Sequence, residues 1–211
     1  MTTADPLFQP FTCKGMTVAN RIVMAPMTRS QSPDGTPTEH VTSYYGRRAA
    51  ADVGLIVTEG TTVARDGASN DPNVPNFHHP KSLAAWKEVV EAVHETPGAG
   101  IAPQLWHVGM MRKPGTGPAP DATSDSPSGH THKGKQVYEM PTKADVEDMA
   151  NAFINAAGAA ADLGFDAVEL HGAHGYLIDQ FFWGMMNRRE DEYGGATAAE
   201  RTAFAAEIIR G

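Results

Sequence analysis

Apolar positions along this chain alternate between short continuous runs and longer stretches with helical spacing. The runs fall at Arg21–Pro26 (carrying Ile22, Val23 and Met24), Val53–Gly60, Ile101–Trp106 and Phe165–Leu170. Their length is that of buried parallel strands, the first ended by its proline and the last set off by Gly164. Between them, Thr38–Ala51 carries Tyr44, Tyr45, Ala49 and Ala50, and Ser82–Glu95 carries Leu83, Trp86, Val89, Val90 and Val93 at three- and four-residue spacing. Both predict helices, the second with Ser82 as its cap. Lys143–Leu163 and Thr197–Arg210 predict two more. Phe11–Asn20 predicts a short hairpin or looped entry. Residues 107–142, rich in Pro, Gly, Ser, Asp and His, predict a long loop of the functional or mobile kind.

A strand followed by a helix, four times over, predicts a parallel sheet with crossover connections. Units of about 40 to 60 residues fit an enlarged (β/α)8 barrel, of which four make one half. The expected fold class is therefore α/β, the first four β/α units of a TIM barrel without its C-terminal half. An open four-stranded sheet leaves two edges unpaired. The chain accordingly reads as a fragment or one piece of a split or proteolysed protein, completed by a C-terminal half-barrel chain or by homo-oligomerisation.

The chemistry concentrates where the fourth run stops. Val168-Glu169-Leu170 leads directly into His171-Gly172-Ala173-His174-Gly175-Tyr176-Leu177, and ligands in α/β folds bind beyond the carboxyl ends of parallel strands. A single histidine is more often a hydrogen-bonded structural residue than a catalyst. Two histidines and a tyrosine within six residues, with glycines that let the backbone turn, favour a shared cavity. The other three runs also end in polar or small residues: Pro26-Met27-Thr28-Arg29, Thr58-Glu59-Gly60 and Gln104-Leu105-Trp106-His107.

Composition narrows the classes. The 211 residues are 41% hydrophobic, enough for a substantial core, and the formal net charge of −8 argues against nucleic-acid binding and against a polybasic membrane patch. No apolar run reaches the 18 or so residues of a membrane span, and Met1–Pro10 lacks the features of a secretory leader. A cytoplasmic protein is expected. Cys13 is the one cysteine, read as a small packing residue, so neither an intrachain disulfide nor a thiolate metal cluster can form.

The motifs taken in order carry a family likeness. Asn20-Arg21-Ile22-Val23-Met24-Ala25-Pro26-Met27-Thr28-Arg29, Thr58-Glu59-Gly60-Thr61, Gln104-Leu105-Trp106-His107 and His171–Leu177 are followed by Asp179-Gln180-Phe181-Phe182 and Asn187–Gly195. The chain resembles the Old Yellow Enzyme family of FMN-dependent ene-reductases over nearly its whole length. The resemblance implies the N-terminal part of a single FMN-binding barrel domain. It also implies an NAD(P)H-dependent reductase of α,β-unsaturated carbonyl compounds, with NADPH or NADH as reductant and an enone or phenolic small molecule as ligand.

Residue by residue, it implies that Pro26, Met27 and the Thr28 hydroxyl meet the flavin near its C4 oxygen and N5. Gly60 allows close backbone approach, and the Gln104 amide faces the pyrimidine edge. His171, counted with both cofactor and substrate, joins His174 in donating hydrogen bonds to the substrate carbonyl. Tyr176 protonates the α-carbon. Trp106 lines the substrate cavity or is simply packing, and Tyr44 and Tyr45 are core. Some members carry Asn where this chain has His174, and some carry a cysteine where it has Thr28, which places it with the yeast- and plant-like branch. The flavin phosphate site and a further arginine belong to the later barrel. Residues 187–195 read as structural, with an Arg189–Asp191 ion pair.

Two other readings stand beside this one. One is a metal-dependent TIM-barrel hydrolase with His171, His174 and either His107 or one of His78 and His79 as ligands; the ene-reductase reading assigns no metal. The other is a non-catalytic half-barrel subunit.

Overall fold

The computed structural model describes residues 6–211. The reading of residues 1–10 as free of a secretory leader therefore rests in part on positions outside the described residues. The chain forms two compact units. One comprises Pro72–Leu105, Ala157–Leu170 and the described part of Met1–Thr61; the other comprises Thr62–Asp71, Trp106–Ala156 and His171–Gly211.

The first unit opens with a two-stranded antiparallel hairpin, β1 (Phe11–Cys13) and β2 (Met16–Val18). Cys13 is exposed on it, not packed as expected, because all three β1 residues face solvent. The main sheet follows the predicted alternation: β3 (Val23–Met24), α1 (Glu39–Ala49), β4 (Leu55–Thr62), α2 (Pro80–His94), β5 (Gly100–Trp106), α3 (Lys143–Leu163) and β6 (Glu169–Leu170). Its order is β3-β4-β5-β6, with parallel pairing at β3–β4 and β5–β6. Sequential parallel neighbours joined by helices are the repeat of a β/α barrel.

The outer strands are shorter than their apolar runs. At β6 the reason is local: the Asp166 carboxylate accepts the Ile101 N–H at 2.8 Å, taking a donor that a longer strand would use. At β3, the amides of Gly54 and Leu55 converge on the Ile22 carbonyl at 3.0 and 3.1 Å. A side chain at Gly54 would run into the Asn20 backbone and amide, so glycine lets the two segments meet.

Helix α2 starts two residues before the predicted cap. Pro80 occupies its first turn, where a missing N–H costs nothing, and the His79 ring accepts from the Lys81 amide at 3.3 Å. Ser82 is instead buried, donating to the Gly35 carbonyl at 3.0 Å. The apolar face of α2 supplies Trp86, Val89 and Val93, all fully buried, and Trp86 meets Phe77 and Phe165 with ring centroids 6.0 and 6.1 Å apart. Contacts at this spacing and tilt are favourable aromatic pairs.

The second unit holds α4 (Leu177–Phe182) and α5 (Ala203–Arg210), whose Phe181 and Phe204 rings stack at 3.9 Å. The C-terminal helix begins later than Thr197 because Thr197 and Glu200 bond reciprocally, the Thr197 amide to the Glu200 carboxylate at 2.7 Å and the Glu200 amide to the Thr197 hydroxyl at 3.3 Å. This is a capping box closing a single 3-10 turn ahead of the helix. Arg189, almost wholly buried, pairs with Asp191 at 2.5 Å and donates to the carbonyls of Pro127 and Pro141, the structural role expected for this stretch.

Residues 107–142 are firmly tied. Arg112 donates to the carbonyls of Thr116, Ala119, Pro120 and Ala122. Asp125 is gripped from two sides: Arg65 donates to both its oxygens at 2.9 Å, and His107 Nε2 lies 2.8 Å away. The Gly109 amide donates to His107 Nδ1, so Nε2 carries the proton that Asp125 accepts. Burial by itself would push the Asp125 carboxyl up, but the hydrogen bonds from His107 and Arg65 outweigh it and hold the group well below the usual carboxylate range.

A carboxylate lowered in the fold contributes stability above its unfolded value near 3.8 and loses it as pH falls below that. Asp125→Asn should therefore cost about 3 kcal/mol at pH 7, as expected when one member of a buried ion pair is removed. The penalty should shrink below about pH 4. Urea unfolding of both proteins across that range measures it.

Candidate active site

In the first unit, polar groups gather at the carboxyl ends of the strands. Glu59 on β4 is fully buried. Its carboxylate receives the Arg29 guanidinium at 2.6 Å, the Arg29 amide at 3.3 Å and the Tyr45 hydroxyl at 3.3 Å, while the Glu59 amide donates to the Tyr45 oxygen at 2.7 Å. Burial, followed by the nearby Glu59 charge, drives the Tyr45 phenol well above its ordinary value. Arg29 also lies 3.7 Å over the Tyr44 ring, a cation–π contact. Tyr45 is core as expected; Tyr44 is half-buried. Pro26, Met27 and Thr28, just before Arg29, are exposed, and Gly60 is buried within β4.

Gln104 stands on β5 directly opposite Glu169 on β6. Its backbone N–H donates to the Thr58 hydroxyl oxygen at 3.2 Å. The Glu169 carboxylate has its Oε2 buried and without a partner among the described residues. Burial pushes the Glu169 carboxyl up, an effect that the neighbouring Gln104 amide offsets only in part.

In the second unit, the predicted histidine and tyrosine cluster is assembled. The His171 ring lies 5.2 Å from His174 and 4.8 Å from Tyr176, both edge-on, and His174 lies 6.4 Å from Tyr176. Trp106 meets Tyr176 edge-on at 5.2 Å; it is buried, with its indole N–H unpartnered among the described residues. Trp106 is thus both packed and adjacent to Tyr176.

The backbone explains how the cluster forms. His174 and Gly175 are both left-handed, with φ of 61° and 76°. The Gly175 amide donates to Asp179 at 2.8 Å, and the Leu177 amide to the His107 carbonyl at 3.0 Å. Gln180, fully buried on α4, donates to the carbonyls of Gly175 and Val108 and accepts from the Met110 amide. Gly109, at φ 56°, is pressed so close to Gln180 that a side chain there would collide with it. Beside the cluster, Met111, His132, His174, Asp179, Trp183 and Met186 line a recess of about 460 Å³.

Sequence reading assigned no role to Arg29, Glu59, Glu169, Arg65, Asp125 or Gln180. Glu59 and Glu169 carried a signal, since each is a charge set within an apolar strand run. Among the described residues no three or more His, Cys, Asp or Glu side chains converge as metal ligands, and His107, one ligand of the hydrolase reading, has both ring nitrogens engaged. Among these residues no helix is long and apolar enough to cross a membrane.

Residues 6–211 match the NADH:flavin oxidoreductase / NADH oxidase family. The chain belongs to that family, the family of Old Yellow Enzyme. It is 36% identical over 212 residues to 12-oxophytodienoate reductase 1 of Oryza sativa subsp. japonica, covering 98% of this chain and 54% of the relative. Two solved structures agree. That of morphinone reductase in complex with tetrahydroNAD superposes with a TM-score of 0.87 at 31% identity, over 98% of this chain and 60% of the other. That of Old Yellow Enzyme from Pichia sp. AKU4542 gives 0.85 at 32% identity, over 97% and 55%. The chain spans about half the length of the curated relatives it matches. Its sheet is accordingly the first four β/α units of the Old Yellow Enzyme TIM barrel.

Burial, and then the neighbouring His174, hold His171 below its ordinary value of 6.5, so its neutral imidazole persists to lower pH. The nuclear magnetic resonance titration of His171 should have its midpoint below 6.5, and His174→Asn should move that midpoint upward. A His171 midpoint unchanged by that substitution would show that the two rings do not interact.

Proposed function

We propose that the protein carrying this chain is an FMN-dependent NAD(P)H ene-reductase acting on α,β-unsaturated carbonyl compounds, this chain being the N-terminal part of its single FMN-binding barrel domain. The observation that carries the reading is the ring cluster of His171, His174 and Tyr176 against Trp106, in a chain of the Old Yellow Enzyme family. The residues present fit the cofactor. Gln104 offers an amide donor and acceptor beside a buried carboxylate oxygen that lacks a partner, and Pro26, Met27 and Thr28 leave backbone and hydroxyl groups exposed after β3.

Those four residues, with Gly60 and His171, would hold the isoalloxazine ring. Bound FMN would supply hydride, drawn from NADH or NADPH, to the β-carbon of the substrate. His171 and His174 would donate hydrogen bonds to the carbonyl oxygen, drawing electron density from the β-carbon and stabilising the enolate oxygen that follows. A neutral imidazole keeps one N–H for this purpose, which suits a lowered His171. Tyr176 would deliver the proton to the α-carbon as general acid, and Trp106 would fix the Tyr176 ring by their edge contact. The net result is addition of one hydride and one proton across the double bond.

Within the sheet, β3 and β6 are the outer strands. We infer that they take further strands, from the same polypeptide, a separate half-barrel chain or a second copy. The cytoplasm, where NAD(P)H is regenerated, is the location that suits this chemistry.

Titration with FMN followed by 4-chlorophenol, read by visible absorption, tests the site: flavin bands and then a long-wavelength charge-transfer band are expected. His171→Ala should abolish the second band. A chain that takes up no FMN would require the remaining strands for the pocket. In the complete enzyme, Tyr176→Phe should slow enone reduction by about 10² to 10⁴, the usual worth of a general acid. It should leave phenol binding in place. His171→Ala should cost about 10² to 10³ in turnover, as for a lost oxyanion donor. Stopped-flow measurement of the enone half-reaction checks both.

A further inference from the structure

The recess beside the ring cluster is walled by apolar side chains that no step of the proposed reaction uses. Met186 is buried in it, whereas Trp183 and Met111 keep 44% and 50% of their surface exposed. A lone apolar side chain on a surface needs no explanation, but two large ones facing one concavity beside a buried third mark a place that takes an apolar group. Its volume of about 460 Å³ lies in the range of small-molecule sites.

The wall is held from behind. The Trp183 carbonyl accepts from the amides of Met186 and Asn187 at 2.9 and 2.7 Å, and the Met186 carbonyl accepts from the Ser128 hydroxyl at 2.5 Å. The Asn187 side chain donates to the carbonyls of Phe181 and Tyr193, both at 2.8 Å. Across the recess, the Met111 sulfur lies where a methyl group on Gly175 would just touch it, at 3.9 Å. A firm backbone on one side and an adaptable thioether on the other admit apolar groups of differing shape.

His174 belongs both to the ring cluster and to the lining of the recess, so the two are continuous. Among the described lining residues Asp179 carries the one carboxylate, and no lysine or arginine offsets it. We propose that the recess is a specificity subsite for an uncharged apolar substituent on the carbonyl carbon of the substrate, selected by Trp183 and Met111. That the substrate oxygen sits at His174 rests on the ene-reductase reading; the capacity of the recess for an apolar group does not. A protein segment laid over the recess would cover His174 too, whereas a small molecule uses it. A tail ending in a carboxylate would meet the like charge of Asp179.

Titration of the ¹⁵N-labelled chain with octan-3-one and with butan-2-one, in the absence of FMN, reads the recess directly. The Trp183 indole N–H signal, assigned by its loss in Trp183→Ala, should shift saturably with octan-3-one. It should respond to butan-2-one with at least about tenfold lower affinity, since four fewer methylenes are offered for burial. Met111→Ala, a change at a half-exposed side chain, should weaken the octan-3-one response. A Trp183 signal that moves with neither ketone, or equally with both, would overturn the proposal.

In the complete enzyme, but-3-en-2-one and oct-1-en-3-one test the consequence. The longer enone should have a kcat/KM at least about tenfold higher, carried mainly by KM. Trp183→Ala and Met111→Ala should each bring the ratio toward one. A carboxylate at the end of the longer tail should remove the advantage, and Asp179→Asn should restore part of it. A ratio unchanged in both apolar variants would overturn the proposal and is the result expected if protein covers the recess in the whole molecule. Failure to reduce either enone would count against the ene-reductase reading, and the ketone titration would then decide the recess.

Discussion

A carboxylate with no exposure to water, in the strand β4, is the constraint around which the first unit is arranged. Isolated in an apolar sheet, Glu59 would carry a desolvation penalty of several kcal/mol. Its partners come from two places in the chain: Arg29 from the segment after β3 and Tyr45 from α1. Meeting the needs of one side chain therefore fixes where the loop after β3 departs and which face of α1 turns inward. Tyr45 is part of the same core as Trp86, so the polar cluster and the aromatic cluster share a side chain.

The second unit repeats the device with Asp125. Arg65 and His107 hold it from segments after β4 and β5, and through it the 107–142 excursion is fastened to strand ends. Gln180 does comparable work for the turn that carries Tyr176, by joining its Gly175 carbonyl to the backbone of Val108 and Met110. The His171, His174 and Tyr176 rings are thereby placed on a connection tied by hydrogen bonds at Gly175 and Leu177. Such support is what holds a reacting group within productive distance of its partners.

Much of this was legible in the sequence, for a physical reason. Burial of a parallel sheet writes apolar runs, and amphipathic packing writes the spacing seen from Leu83 to Val93, so the β/α order and the inward face of α2 followed from pattern. The His171, His174 and Tyr176 cluster was legible because its members are neighbours in the chain. What pattern does not carry is pairing across distance. Arg65 and Asp125 lie 60 residues apart, and nothing in either segment marks the other, so the bonds that fasten the loop could not be read from it. Strand ends failed for a related reason: the side chain of Asp166 replaces a backbone acceptor, which hydrophobicity cannot register. The start of α2 was misplaced because Ser82 was read as a cap when its hydroxyl serves two carbonyls of other segments.

His174 occupies a left-handed backbone position as well as a place in the ring cluster. Such a conformation excludes β-branched residues and disfavours most others, while histidine and asparagine are among those that enter it most readily. The alternation of His and Asn that the family resemblance implies at this site then has two independent filters behind it. One is the side-chain N–H that the proposed role asks for, the other the curvature of the turn, and glutamine or arginine could meet the first while being less suited to the second. An imidazole and a carboxamide both suit this turn, so a titratable donor and a pH-insensitive one can stand at the same place without redrawing it.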